Sequence, residues 1–226
     1  MMLDPHNAPR NIDVLLEVTP LIQHSFVTAW VDGSLSRDDV RTFAPQLFVH
    51  LDRWPRYIST AHAITGDAEI RRVLSTALEF VEPAGASAAD LWLQTCSALG
   101  LFSDSVRRAE LTDATDHCVN DCFYLCGHTT LSAVTALYVV ACQVRDLCRE
   151  TRSGLAQYGL ASGPGATFFD VIGYSAEMQA KRLRTTLESL IPLEDTAAIA
   201  EAQEAARTAA AAFITICDEA ATTASL

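Results

Sequence analysis

Residues 24–59, HSFVTAWVDGSLSRDDVRTFAPQLFVHLDRWPRYIS, decide the fold class that the sequence predicts. Apolar side chains recur at helical spacing on both sides of Gly33, which predicts that one helix ends at that glycine. Ser36 and Asp39 have the spacing of a capping box, so they predict the start of a second helix. Two prolines lie within this second helical pattern, Pro45 and Pro55. Each of them is expected to bend or weaken the helix.

Helical patterns of the same kind fill the rest of the chain. Further helices are predicted to start at capping residues, namely Asp67, Ser87, Thr112 or Thr115, and Thr130. No window alternates with period two, so essentially no sheet is expected. Linkers are short and no change in composition marks a boundary. We therefore expect residues 1–226 to form a single all-α domain, a bundle of seven or eight helices, with residues 1–10 as a flexible N-terminal extension.

The composition limits the partners and the location that the sequence predicts. The 226 residues carry 28 acidic and 16 basic side chains, and a formal net charge of −12 opposes nucleic acid and anionic membrane surfaces as partners. The polar N-terminus has no signal pattern, and the apolar segment 131–144 is shorter than the roughly 18 residues that cross a membrane. We interpret this segment as a buried core helix. The seven cysteines are an odd number, which favours free thiols in the cytoplasm.

Several short segments resemble segments of the heme-oxygenase-like superfamily, and they occur in the same order along the chain. They are DGSLSRDDVRTFA, FVHLDRWPRYIS, DLWLQTCSALGL, ALYVVACQV, GLAQYGL and TFFDVIGYSAEMQA, and they run between about residues 20 and 185. The chain looks most similar to the diiron oxidases of this superfamily, such as the chlamydial protein associating with death domains. Pyrroloquinoline-quinone synthase and thiaminase II are more distant. The resemblance implies a helical bundle around a central pocket for a small-molecule substrate, and a homodimer.

The resemblance also assigns six iron-ligand positions to this chain, and none carries the ligand that the diiron oxidases have there. These positions are Val81, Ala88, Ala141, Ile172, Ala176 and Gln179. An iron pair in a helical bundle needs converging carboxylate and imidazole groups, and Val, Ala and Ile have no donor atoms. We therefore expect no iron at these positions, no metal ligands and no cofactor.

Two residues are candidates for catalysis, His50 and Cys142. Cys142 is adjacent to Ala141, and as a nucleophile it would need a base or a lowered pKa; His50 is the candidate base. The structural alternatives are a hydrogen-bonded core histidine and a packing cysteine. The residues expected to contact substrate around the pocket are Gln46, Tyr138, Gln143, Phe169, Gln179, Val81, Ala141 and Ile172.

Three further cysteines recur at four-residue spacing within HCVNDCFYLCGH, residues 117–128; they are Cys118, Cys122 and Cys126. Residues i and i+8 of a helix lie about 12 Å apart along its axis, so one helix cannot bring all three thiols to one ion. A second helix would have to add donors. We expect these cysteines to be small buried hydrophobic side chains.

Two functions are open from the sequence. The first is an enzyme of bacterial specialised metabolism that acts on a small organic substrate without a metal, including by a cofactor-independent oxidation. The second is a non-catalytic paralogue that binds a small molecule or serves as the partner subunit of an active diiron oxidase. A roomy pocket where Gln179, His50 and Tyr138 converge would favour the enzyme. A pocket closed by side chains such as Val81 and Ile172 would favour the paralogue.

Overall fold

The computed structural model describes residues 12–16, 21–82, 85–192 and 194–224, and within these ranges the chain forms ten α-helices and no strand. The helices are α1 Ile12–Leu16, α2 Ser25–Asp32, α3 Arg37–Ile64, α4 Ala68–Val81, α5 Ala88–Ala98, α6 Ser103–Arg107, α7 Asp113–His128, α8 Thr130–Thr151, α9 Pro164–Leu190 and α10 Thr196–Thr223. Short 3-10 helices cover Leu21–Gln23 and Gly154–Tyr158. The all-α prediction is confirmed. Helices α1 and α6 have only five residues each, and the expected flexible extension lies outside the described residues.

Local capping chemistry explains where the helices begin. Three predicted caps are confirmed: Ser36 at α3, Asp67 at α4 and Ser87 at α5. In the capping box of α3, the Ser36 hydroxyl accepts from the Asp39 N–H at 3.1 Å, and the Asp39 carboxylate accepts from the Ser36 N–H at 2.7 Å. Thr112 caps α7, and Thr129 caps α8 one residue before its predicted start. Gly33 ends α2 in the left-handed conformation, with φ of 70°.

Neither of the two prolines ends helix α3. It continues for 28 residues through Pro45 and Pro55. A proline inside a helix removes one backbone hydrogen bond, so packing has to compensate for the loss. The buried face of α3 supplies that packing with large side chains that include Leu47, Leu51, Trp54 and Tyr57. Because the helix is continuous, residues before and after Pro55 share its buried face.

Helix α8 lies at the centre of the bundle and packs against α9, α10 and α7. At 22 residues it is long enough to cross a membrane, which differs from the shorter apolar segment that the sequence suggested. However, 78% of its most apolar window is buried inside the protein, so its composition is explained by core packing. On the flanks of the bundle, α4 and α5 pack against α9, and α3 packs against α7, α4 and α5.

Candidate functional site

The six positions to which the resemblance assigns iron ligands lie in the interior, on three helices packed against α9 and on α9 itself. They are Val81 at the end of α4, Ala88 at the start of α5, Ala141 on α8, and Ile172, Ala176 and Gln179 on α9. Each is only 0–1% exposed. We call these six residues the ligand-position core.

Gln179 is the one polar side chain of the ligand-position core. It is fully buried, and neither its Oε1 nor its Nε2 has a hydrogen-bond partner among the described residues. Leaving such a group buried and unpartnered costs about 1–3 kcal/mol. Its amide therefore offers one acceptor and two donors to any polar group that enters this part of the bundle.

A carboxylate-bridged iron pair does not fit the ligand-position core. Five of its six side chains contain no donor atom, and an amide is a poor replacement for the carboxylate and imidazole ligands of iron. The described residues do contain one group of His, Cys, Asp or Glu side chains whose donor atoms lie close together, but it is outside the ligand-position core. It consists of His50, Cys118 and Cys122, with all three donor atoms within 4.8 Å of one another.

Two other residues of α8 that were predicted to contact substrate, Gln143 and Tyr138, bond to two different helices. Gln143 donates from Nε2 to the backbone carbonyl of Ala210 on α10 at 3.1 Å, and its buried Oε1 has no partner among the described residues. The Tyr138 hydroxyl donates to the carboxylate of Asp13 on α1. Gln143 thus joins α8 to α10, whereas Tyr138 joins α8 to the first helix.

Cys142 is half-buried, in contrast to the other six cysteines, which are buried. Burial raises the pKa of its thiol to about 11, although nearby Arg145 acts in the opposite direction. The thiol is therefore protonated at neutral pH, and a nucleophilic role would need a base beside it. His50, the candidate base, instead contacts a different cysteine.

His50 is buried on α3, with its Nδ1 3.7 Å from the Cys118 Sγ on α7. Its ring centroid lies 5.7 Å from that of Tyr57 and 5.4 Å from that of Phe213. Burial lowers the pKa of the imidazole to about 4, so the ring is neutral at physiological pH. These contacts match the alternative in which His50 is a core histidine bonded to a neighbouring helix.

Two further predicted contacts, Gln46 and Phe169, have structural partners. Gln46 donates from Nε2 to the Glu110 carbonyl at 3.0 Å and accepts from the Thr112 N–H at 3.3 Å, which joins α3 to the start of α7. Phe169 packs edge-on against Trp30 and Trp92.

Three cavities open to the surface of the described part of the chain. The first, of about 100 Å³, is lined by Gln46 and Ile216 among others. The second, of about 210 Å³, includes Tyr138 and several charged side chains; the third, of about 290 Å³, includes Phe169. None of these three is lined by the ligand-position core.

Most of the chain matches a known protein family. Residues 16–161 match the TENA/THI-4/PQQC family. The chain belongs to this family. The predicted heme-oxygenase-like fold is also confirmed. A domain of unknown function with a heme-oxygenase-like fold from Shewanella denitrificans OS217 superposes with a TM-score of 0.76 at 10% identity, covering 99% of this chain and 94% of that one.

Relatives of this TENA/THI-4/PQQC-family chain include proteins with a biosynthetic name. The 4-aminobenzoate synthase of Chlamydia pneumoniae is 26% identical over 194 residues, covering 85% of this chain and 87% of the relative. That of Nitrosomonas europaea is 28% identical over 180 residues, covering 72% and 70%. A TenA family transcription regulator from Silicibacter sp. TM1040 has a TM-score of 0.74 at 14% identity, covering 94% of this chain and 97% of that one.

The sequence analysis missed Tyr57, a residue that belongs with His50. The Tyr57 hydroxyl is buried and has no hydrogen-bond partner among the described residues. One signal was available, because a residue seven positions after His50 lies on the same helix face. Asp13, the partner of Tyr138, had no signal, because 125 residues separate the two in the chain.

Proposed function

We propose that this chain is a biosynthetic enzyme that converts a small organic substrate to an aromatic product of the 4-aminobenzoate type in the ligand-position core, without a carboxylate-bridged iron pair. The observation that carries the proposal is the buried Gln179 amide, which has no partner. The names of the relatives from Chlamydia pneumoniae and Nitrosomonas europaea supply the product class. A metal-free reaction, such as a cofactor-independent oxidation of the substrate with dioxygen as the electron acceptor, agrees with the lack of donor atoms at five of the six positions.

The chemistry of the ligand-position core suits an aromatic acid or amine. Side chains such as Val81, Ala141 and Ile172 offer apolar contacts to a ring, while the amide of Gln179 can donate to a carboxylate or accept from an amino group. A substrate that satisfies this amide removes the penalty of the unpartnered group, which favours the bound state. None of the three surface cavities described above is lined by these residues.

Calorimetric titration of 4-aminobenzoate tests the proposed binding site. The unaltered chain is expected to bind, and Gln179→Leu is expected to weaken binding by about tenfold or more, since a hydrogen bond to a charged group contributes about 1.5–3 kcal/mol. Gln203→Leu is the control, because this half-buried amide donates to the Leu15 carbonyl at 2.9 Å in another part of the bundle. Equal binding by all three proteins would place the site elsewhere.

Growth of a bacterium that requires 4-aminobenzoate tests the reaction. We expect the unaltered chain to restore growth and Gln179→Leu to fail while still folding, as checked by circular dichroism. Elemental analysis of the active protein is expected to find far less than one iron per chain. Activity that depends on stoichiometric iron would contradict the metal-free part of the proposal.

The second candidate function is a non-catalytic paralogue that binds a small molecule or partners an active diiron oxidase. One observation favours it: Gln179, His50 and Tyr138 have separate surroundings, with His50 beside Cys118 and Tyr138 bonded to Asp13. This candidate predicts ligand binding without growth when the chain is expressed alone. Growth restored only by co-expression with a diiron relative would support it over the enzyme.

The assembly and location of the protein stay predictions. A homodimer is expected from the resemblance, and sedimentation equilibrium at micromolar concentration measures it directly. A cytoplasmic location is expected from the free thiols, and fractionation of cells that produce the native protein tests it.

A further inference from the structure

Two helices bring three soft donor atoms together in the interior. His50 comes from α3, while Cys118 and Cys122 lie one turn apart on α7. We call these three residues the thiol–imidazole cluster. Their donor atoms all lie within 4.8 Å of one another, and all three side chains are only 0–1% exposed. The second helix that a metal site would need is therefore present.

The spacing of the donors matches that of ligands around one ion. Zinc–sulfur and zinc–imidazole bonds are about 2.3 and 2.0–2.1 Å long, so two such donors at bond angles between tetrahedral and trigonal lie about 3.6–3.8 Å apart. The His50 Nδ1 and Cys118 Sγ are 3.7 Å apart. These two donors could therefore bind a common ion with little movement of either helix.

A second observation points to a ligand at the same place. The Tyr57 hydroxyl is fully buried without a partner among the described residues, which is costly for a polar group. It lies on the His50 side of the cluster, where the two ring centroids are 5.7 Å apart. Burial is the main cause that raises the pKa of Tyr57, so its hydroxyl keeps its proton at neutral pH.

We propose that the thiol–imidazole cluster binds one thiophilic closed-shell cation, Zn²⁺ or Cu⁺, with the Tyr57 hydroxyl available as a further ligand. Thiolate and imidazole donors select these ions over Mg²⁺, Ca²⁺ or Mn²⁺. Binding forms two metal–sulfur bonds and one metal–nitrogen bond, and releases the two thiol protons to solvent. Zn²⁺ with two thiolates and a neutral imidazole has no net charge, which suits a buried site. Cu⁺ instead suits three-coordinate geometry.

The burial of the site indicates a structural role. All three donors are inaccessible to substrate, and they join α3 to α7. A metal bound only by the folded chain stabilises that state, so the ion would fasten these two helices together. Thiols have to lose their protons before they ligate a metal as thiolates. Apparent affinity is therefore expected to increase with pH.

Metal loading of the reduced full chain under anaerobic conditions tests the proposal. In separate arms, Zn²⁺ or Cu⁺ is added and excess metal is removed by desalting with a weak chelator. We expect about one equivalent per chain in at least one arm, and a higher melting temperature for that arm. Less than one-tenth of an equivalent is expected for Cys118→Ser and for Cys122→Ser. No retained metal in either arm would overturn the proposal.

Cys126→Ser is the matched control, because Cys126 is on the same helix and 1% exposed, but it does not belong to the set of three close donors. It should keep the metal, and losing the metal as fully as Cys118→Ser does would show unspecific thiol binding and overturn the site. If the cluster variants fail to fold, X-ray absorption of the loaded unaltered chain decides. A shell of two sulfurs and imidazole nitrogen supports the site, whereas a shell of only oxygen and nitrogen excludes it.

Discussion

The ligand-position core and the thiol–imidazole cluster are both fully buried, yet their chemistry is opposite. Five residues of the core offer no donor, and its Gln179 amide has no partner. The cluster places three donor atoms within 4.8 Å of one another on α3 and α7. The difference teaches that in this chain the helix positions to which the resemblance assigns a metal site and the convergence of donor atoms are separate properties. One cannot be inferred from the other.

The largest expected effect tests whether the ligand-position core is closed. Ala141→Trp inserts an indole where the side chain is fully buried, and overpacking of this kind should lower the free energy of unfolding by about 3 kcal/mol or more. Urea unfolding measures the change. Ala211→Trp, at an exposed position of α10, serves as the control and should change stability little. Unchanged stability in Ala141→Trp would reveal an open pocket there.

The second prediction concerns the protonation of the thiol–imidazole cluster without metal. Burial lowers the pKa of His50 from 6.5 to about 4, so below pH 6.5 the unfolded chain binds a proton that the folded chain does not. Between pH 6.5 and 4, this difference should remove about 3 kcal/mol of stability. Urea unfolding across this range, with chelator present, measures it.

The comparison for the second prediction is between two histidine variants. His50→Gln should flatten the loss of stability toward acid pH, whereas His128→Gln, at an exposed position of α7, should leave the wild-type slope unchanged. A wild-type slope in both variants would remove His50 from the pH dependence.

The third prediction separates two buried amides. Gln179→Leu removes an unpartnered polar group and should raise the free energy of unfolding by about 1–2 kcal/mol in the absence of ligand. Gln143→Leu breaks the bond from Nε2 to the Ala210 carbonyl and should lower it by about 1 kcal/mol. Thermal and urea unfolding should therefore shift in opposite directions. Destabilisation of Gln179→Leu would mean that its amide has a partner in solution.

The smallest expected effect concerns Cys142, which lies next to the core. Because the pKa of its thiol is raised to about 11, alkylation at neutral pH should be slower than for a free cysteine. Cys142→Ala should change the free energy of unfolding by less than about 1 kcal/mol. It should also restore growth of the bacterium that requires 4-aminobenzoate as well as the unaltered chain does. Mass spectrometry of the labelled protein and the growth assay measure both. Loss of growth would restore Cys142 as the nucleophile.

The sequence predicted what depends on local chemistry. The caps at Ser36, Asp67 and Ser87 follow from the side chains and the backbone within one turn, and the all-α class follows from periodicity. The partners of α3 could not be predicted in this way. His50 meets Cys118, 68 residues later, because α3 packs on α7. Contacts between helices this far apart in the sequence leave no signal in local periodicity or capping.

The burial of α8 has a consequence for how the protein is made. Helix α8 ends at Thr151, but two of the helices that cover it, α9 and α10, end at Leu190 and Thr223. At synthesis rates of about 5–20 residues per second, a segment apolar enough for a bilayer is without these two neighbours for several seconds on the ribosome. Nascent chains stalled before α10 should therefore bind chaperones or aggregate, whereas the released full-length chain should not.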